Sequence, residues 1–388
     1  MKVGIWVEAE GKNRPFRSKD EFDSFREFIR EQPFTDFYCQ VFREGRAWFQ
    51  TEEADTSPFE LAQSFGVDPL RETIQVAHAQ GKRVHAWINV LRVDRVSGQT
   101  AIQNLGPDAV LTDNFGNSML TYNDSGAPVQ HSLSGHRIDT PGIWLDPSSS
   151  KVRAYIVRVV EQLIDRYPDL DGIHLDMIRF PFSVGGGGLS YPYGIAASEE
   201  FQKIYGRLPP KPTEGGGDSV LRRNWDDWRR AQITRLVFDI KQTMNAKRPT
   251  MELSAAVLAF PDRAFRSAFQ DWQTWLRGAA LDYAVPMNYT RDLGVFRNNA
   301  RFAVGSRQHS RVQIGIGAWL MSGEPELFNA QLDLARKEGA DGVVLFSYSN
   351  LFSARGREFL RRVMAPFRRV VEPPREVPPQ MSATPVVH

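Results

Sequence analysis

Asp171-Gly-Ile-His-Leu-Asp176-Met-Ile-Arg179-Phe-Pro181 is the stretch whose reading decides the fold of this 388-residue chain. Ile173 and Leu175 share one parity, and Gly172, His174 and Asp176 share the other. In a strand the two sets point to opposite faces. The apolar set suits contact with helices, while the other delivers Asp176 to the strand tip. Arg179 follows, and Pro181 keeps a helix from starting there. A strand that ends in a carboxylate, a cation and a proline presents chemistry at its end.

Working outward, seven further strands are expected at 2–8, 35–41, 83–89, 251–258, 281–287, 311–317 and 341–347. In the first, Val3, Ile5 and Val7 oppose Trp6 and Glu8; in the third, Val84, Ala86 and Ile88 oppose His85, Trp87 and Asn89. Helices are expected between them. Ser18 is positioned to cap 19–31, whose acids fall early, as the helix dipole prefers. Asp68-Pro69 opens the next helix and Gly81 closes it. Others follow at 146–167, 219–247, 263–278, 295–306, 325–338 and 354–366.

Strict alternation of eight strands and helices predicts a parallel sheet wrapped by helices, and eight units close a barrel. The alternative, an open doubly wound sheet, wants a Gly-rich phosphate turn after the first strand. Here that strand runs into Glu8-Ala-Glu-Gly11, which has no G-x-G-x-x-G. The expected class is therefore α/β, a (β/α)8 TIM barrel with long insertions after strands three and four. The insertion at 93–146 is polar. That at 182–218 is rich in Gly and Pro, including Gly185–188 and Gly215–217, and reads equally as a lid or as a flexible insertion. Residues 1–370 are expected to form the barrel domain, and 371–388 a Pro-rich, disordered tail or linker.

Composition narrows the function classes. Hydrophobic residues at 41% and charged residues at 24% describe an ordinary globular chain. A net charge of +2 argues against nucleic acid or anionic membrane as partner. No apolar run reaches the roughly 18 residues of a membrane span. Cys39 has no partner for an intramolecular disulfide and reads as a small buried hydrophobe. Neither a metal nor another cofactor is expected: the seven His are scattered and no H-E-x-x-H occurs. G-x-S-x-G and a P-loop are also lacking. Residues 1–8 lack the regions of a signal peptide, so the chain is expected to be either cytoplasmic or relieved of a leader.

Barrel sites lie at the carboxyl ends of the strands. Inward parity brings Glu8, Gln40, Asn89, Asp176, Asn288 and Trp319 there, with Arg43, Arg92, Arg179, Tyr289, Tyr348 and Asn350 just beyond. Two acids among amides and aromatics suit glycoside cleavage, in which one acid protonates the leaving oxygen and the other attacks or activates water. The catalytic candidates are Asp176 and Glu8, with Glu10 in place of Glu8 if the strand runs further. Gln40, Arg43, Trp87, Asn89, Arg92, Arg179, Asn288, Tyr289, Trp319 and Tyr348 are the candidates for binding a carbohydrate substrate. Plainer roles stand beside these. Asp176 could serve as a salt-bridge partner of Arg179, Asp146 and Asp262 as helix caps, and His174 as a buried hydrogen-bonding group. Trp87 and Trp319 suit core or sugar platform alike. An arginine beside Asp176 would keep it ionised, leaving a buried Glu as the proton donor.

Gly4-Ile-Trp-Val7, His85-Ala-Trp-Ile-Asn89, the strand-four stretch and Pro286-Met-Asn-Tyr-Thr290 occur in order between about residues 2 and 350. Together they resemble the glycosyl hydrolase-like family 10 barrels. That resemblance implies a (β/α)8 fold, hydrolysis of glycosidic bonds and, for many bacterial members, a periplasmic or secreted location. Some members are associated with the glycan strands of peptidoglycan. Many relatives carry a second Asp directly after the strand-four Asp; here Met177 stands there, so that acid's role does not transfer. Asp146 also stands where relatives often show Asn. Only Asp176 is carried over as a catalytic residue. The expected activity is hydrolysis of a polysaccharide or peptidoglycan glycan. Its competitors are a glycan-binding barrel without catalysis and a hydrolase or isomerase of a small non-sugar substrate.

Overall fold

The computed structural model describes residues 1–128, 136–184, 188–210 and 218–367. The barrel strands are β1 (Lys2–Val7), β2 (Asp36–Glu44), β3 (Arg83–Val93), β4 (Gly172–Asp176), β5 (Glu252–Leu258), β6 (Tyr283–Met287), β7 (Arg311–Gly317) and β8 (Gly342–Phe346). Each pairs in parallel with the next. β8 returns to β1, with Lys2 opposite Gly342 and Ile5 opposite Leu345, and the barrel closes.

Period-two alternation sorts the side chains. Val3, Ile5 and Val7 join the apolar layer under the helices, while Trp6, Tyr38, Trp87, Tyr283 and Val344 fill the barrel. These rings need room, and glycine supplies it. A Cβ on Gly4 would meet the Tyr38 ring at 2.6 Å, and one on Gly315 would meet the Trp6 ring at 3.0 Å. At the amino-terminal end, Arg83 and Arg311 both clamp Glu252, at 2.7 and 2.6 Å. There Asp36 faces His85 at 3.1 Å. Burial opposes ionisation of Asp36, but the His85 hydrogen bond and charge, with Lys2, hold its pKa down at about 2. This end of a barrel serves stability.

The outer helices are α1 (Lys19–Glu31), α2 (Pro69–His78), α3 (Ser150–Arg166), α4 (Ser219–Lys247), α5 (Trp272–Arg277), α6 (Leu293–Gly305), α7 (Pro325–Lys337) and α8 (Ala354–Val363). Ser18 caps α1: its hydroxyl accepts from Glu21 N and donates to the Glu21 carboxylate. Asp68 caps α2 through Arg71 N at 3.1 Å. The single helix expected over 263–278 is instead a π-helical turn at Arg263–Ser267 followed by the shorter α5. The cause is Gln270 between them: its buried amide accepts from Leu258 N at 2.8 Å and donates to Ile178 O at 3.2 Å. That pair of bonds ties the ends of β4 and β5 together.

The segments after β3 and β4 are joined to each other. Strand Arg137–Ile138 pairs antiparallel with Ser183–Val184, and Tyr122 bonds both Asp113 at 2.8 Å and Tyr191 at 2.7 Å. The expected tail at 371–388 lies outside the described residues, as do 185–187 and Gly215–217 of the second insertion. Among the described residues, no helix is long and apolar enough to cross a membrane.

Candidate functional site

Asp176 ends β4, in register with Asn89 on β3. Two N–H groups hold its carboxylate: Trp87 Nε1 donates to Oδ2 at 3.2 Å and Met177 N to Oδ1 at 2.7 Å. Met177 sits at φ 52°, a left-handed conformation that breaks the strand directly after the acid. Burial raises the Asp176 pKa, against the Met177 N–H, the Arg179 charge, the Trp87 N–H and the Arg43 charge. One layer below, Trp6 Nε1 donates to His174 Nε2 at 2.9 Å. The proton of His174 therefore lies on Nδ1, which faces Ser254 Oγ at 2.8 Å. Burial, helped by the charge of His85, holds the His174 pKa well below its usual value, so the ring is neutral.

Glu8 follows β1 directly. The Ser347 hydroxyl donates to one carboxylate oxygen and Ser349 N to the other, at 3.3 Å. Burial outweighs these donors and raises its pKa. Tyr289 lies just past β6. Its hydroxyl is buried with no hydrogen-bond partner among the described residues. Burial, then the charges of Asp176 and Glu8, push its pKa well up. Its ring meets Trp319 edge-on at 4.8 Å and Phe346 at 5.7 Å. Trp319 is 37% exposed, an aromatic face open to solvent at the mouth. Gln40 donates to Asn89 Oδ1 at 3.3 Å, and Arg43 reaches Gln40 Oε1 at 3.5 Å.

Several candidates sit differently from expectation. Arg179 does not pair with Asp176: its Nη2 binds Asp139 at 2.7 Å and its guanidinium lies over Trp144. Glu10 turns aside to Arg46 at 3.2 Å and Arg14 at 3.4 Å. Arg92 is held by Glu44 and by Pro141 O at 2.7 Å. Both ends of the Asn288 amide are engaged internally, donating to Phe296 O at 2.9 Å and accepting from Asn299 at 3.0 Å. Tyr348 begins a short helix after β8 and packs outward on Phe25 and Phe28, at 5.1 and 5.0 Å. Trp87 is buried, its N–H supporting Asp176 rather than its face lying open to a sugar. Asp262 projects into solvent and makes no capping bond. Asp146 closes a turn before α3, accepting from Ser148 N and Oγ at 2.8 and 2.6 Å.

Sequence reasoning missed Ser347, Ser349 and Phe346, although the polar Ser347 at a strand terminus was a usable signal. Asp139 gave none, because it lies in an irregular segment 40 residues before the arginine it binds. Among the described residues no group of three or more His, Cys, Asp or Glu side chains gathers as for a metal ion.

Comparison with known proteins agrees with the barrel fold. Glycosyl hydrolase DigH of Escherichia coli K12 is 25% identical over 298 residues, spanning 70% of this chain and 58% of its own length. Glycosyl hydrolase YngK of Bacillus subtilis is 25% identical over 241 residues, covering 58% of this chain and 39% of its own length. The chain thus spans about half the length of these curated relatives. Among solved structures, a catalytic mutant of the GH42 β-galactosidase Gan42B from G. stearothermophilus superposes with a TM-score of 0.65 at 12% identity. It covers 95% of this chain and 56% of that one. A β-galactosidase from the psychrophilic Marinomonas ef1 gives 0.62 at 13% identity, over 90% and 54%. At such identities the superpositions establish the TIM-barrel fold. The family model described as Glycosyl hydrolase-like 10 matches residues 3–327, and the chain belongs to that family.

Proposed function

We propose that the protein hydrolyses glycosidic bonds in a polysaccharide or peptidoglycan glycan strand, with Glu8 and Asp176 as the working carboxyl pair. The observation that carries this reading is that two buried carboxyls, Glu8 directly after β1 and Asp176 at the end of β4, stand at the mouth end of one closed barrel, which also carries the exposed Trp319. Both carboxyls are desolvated, yet their surroundings differ. Glu8 is held by a hydroxyl and a backbone N–H, with no cation among the groups that act on it. Asp176 has two N–H donors and the charges of Arg179 and Arg43 in reach. Glu8 is therefore the proton donor and Asp176 the ionised partner. Glu8 passes its proton to the leaving oxygen as the C–O bond breaks. Asp176 acts at the anomeric carbon, directly or by taking a proton from the attacking water. Trp319 offers a stacking face for a sugar, and Gln40, Asn89 and Arg43 supply polar contacts on the β2–β3 side.

The test is product release from purified peptidoglycan, intact and peptide-stripped, alongside other polysaccharides, with wild type and Asp176→Asn. Release by wild type that vanishes in the variant supports the reading; equal release by both removes Asp176 from it. A glycan-binding barrel without turnover is the second reading, favoured by Met177 at the position of the relatives' second acid. Co-sedimentation with one glycan and no release by either protein would select it.

A further inference from the structure

The Gly- and Pro-rich segment after β4 builds a helical hairpin that neither the barrel wall nor the acid pair uses. Helix Ile195–Tyr205 ends at Gly206, which takes the left-handed conformation at φ 71°. The chain later re-enters helix at Ser219, the start of α4. Arg207 pairs with Asp218 at 2.6 Å, which brings the two arms together near their tip. The hairpin has a small core of its own. Phe201 meets Trp225 edge-on at 4.9 Å, and Trp225 stacks on Trp228 at 4.8 Å. With Ala197 these rings form a cluster separate from the main core.

That inner cluster leaves the outer face of the tip uncovered. Ile204 and Leu208 are each 58% exposed, Val220 is 53% exposed, and Tyr205 beside them is exposed too. Leu208 and Val220 adjoin the Arg207–Asp218 pair, so both arms contribute to one patch. Single apolar residues on a surface are ordinary, whereas four gathered at the end of one projection mark a contact. The rim is basic. Lys203, Arg207, Arg222 and Arg223 are all exposed there, and Asp218 is the one acid among residues 202–210 and 218–224.

The length of α4 sets where the tip lies. Lys247, at the end of α4, holds Asp165 near the end of α3 at 2.8 Å, and Arg153 near the start of α3 lies 3.6 Å from Asp239. The stretch of α4 from Ser219 to Asp239 precedes that second contact and runs roughly 30 Å. Barrel helices run back from the strand ends, so this overhang stands on the mouth side.

We infer that the hairpin tip is a docking surface for a lipid bilayer with anionic headgroups. Ile204, Leu208, Val220 and Tyr205 enter the boundary between headgroups and acyl chains, and the basic rim meets the lipid phosphates. The chain lies on such a surface and does not span it. A second copy would set one basic rim against another, which opposes self-pairing. The net charge of +2 over the whole chain supplies little long-range attraction, so the contact depends on this local cluster.

Co-sedimentation of the full chain with vesicles tests this, using equal parts phosphatidylglycerol and phosphatidylcholine beside phosphatidylcholine alone. Binding to the anionic vesicles is expected to be about fivefold stronger or more, and to fall as salt rises. Ile204→Ser with Leu208→Ser, and separately Lys203→Glu with Arg223→Glu, should each remove most of it. Neither pair should change the melting temperature, because all four side chains are exposed. Binding to neither vesicle, equal binding to both, or binding undiminished in either double variant overturns the inference. So does a dimer in sedimentation velocity that Ile204→Ser with Leu208→Ser dissolves, which would make the tip a contact between copies. No glycan enters the measurement, so its outcome is independent of the hydrolase reading.

Discussion

Trp87 donates its indole N–H to Asp176 Oδ2 at 3.2 Å across the β3–β4 pair, so the largest inward side chain of one strand fixes the carboxylate that ends the next. The bond favours the charged form and partly offsets the rise that burial imposes. Trp87→Phe keeps most of the packing and removes the donor. The Asp176 pKa should then rise further, and the acidic limb of the kcat/KM profile should move to higher pH, because turnover needs the carboxylate ionised. Activity at neutral pH should drop about tenfold. A profile identical to wild type would detach Trp87 from the chemistry.

Glu8 predicts a shift at the other limb. Ser347→Ala deletes a donor to its carboxylate, so its already raised pKa should climb. Because Glu8 acts protonated, the alkaline limb should move to higher pH while the acidic limb stays. Movement of both limbs together would indicate that the two acids titrate as one coupled pair.

Trp319 tests the sugar platform. Its ring is 37% exposed and braced edge-on by Tyr289. Trp319→Ala should raise KM for a polymeric glycan about tenfold and change kcat by no more than about twofold. A kcat loss with unchanged KM would place the ring in the transition state instead.

Trp6 and His174 test the barrel floor. Trp6→Phe preserves an aromatic core residue but leaves His174 Nε2 buried without its donor. Stability should fall by about 1–3 kcal/mol, measured by denaturant unfolding. A neutral result would mean that water replaces the indole N–H.

Asp146 gives a pH-dependent stability prediction. Burial raises its pKa to about 6, against the Ser148 donors. A folded pKa above the unfolded one adds stability that is fully present below the unfolded value and lost as pH rises through about 6. At pH 8 the wild type therefore carries a penalty on the order of 3 kcal/mol at most. Asn keeps an acceptor for Ser148 without the charge. Calorimetry should show Asp146→Asn melting above wild type at pH 8, with the gap closing toward pH 4. A gap independent of pH would contradict the buried-charge account.

The sequence by itself determined the architecture and the inward positions. Apolar alternation of period two, interrupted eight times by helical stretches, leaves a closed parallel barrel as the economical solution. The same parity that sends Ile173 and Leu175 to the helices sends His174 and Asp176 inward. What only the tertiary structure decided was which polar groups at the mouth remain free. Arg179 adjoins Asp176 in sequence but pairs with Asp139. Asn288 is occupied by Asn299 and Phe296 O. Tyr348 turns outward because the chain enters a helical turn after Ser347 and its ring falls among Phe25 and Phe28. In each case strand periodicity ends where the loop begins. Beyond that point a side chain's direction follows the loop's exit angle and a partner from a distant segment, neither of which is written in local spacing.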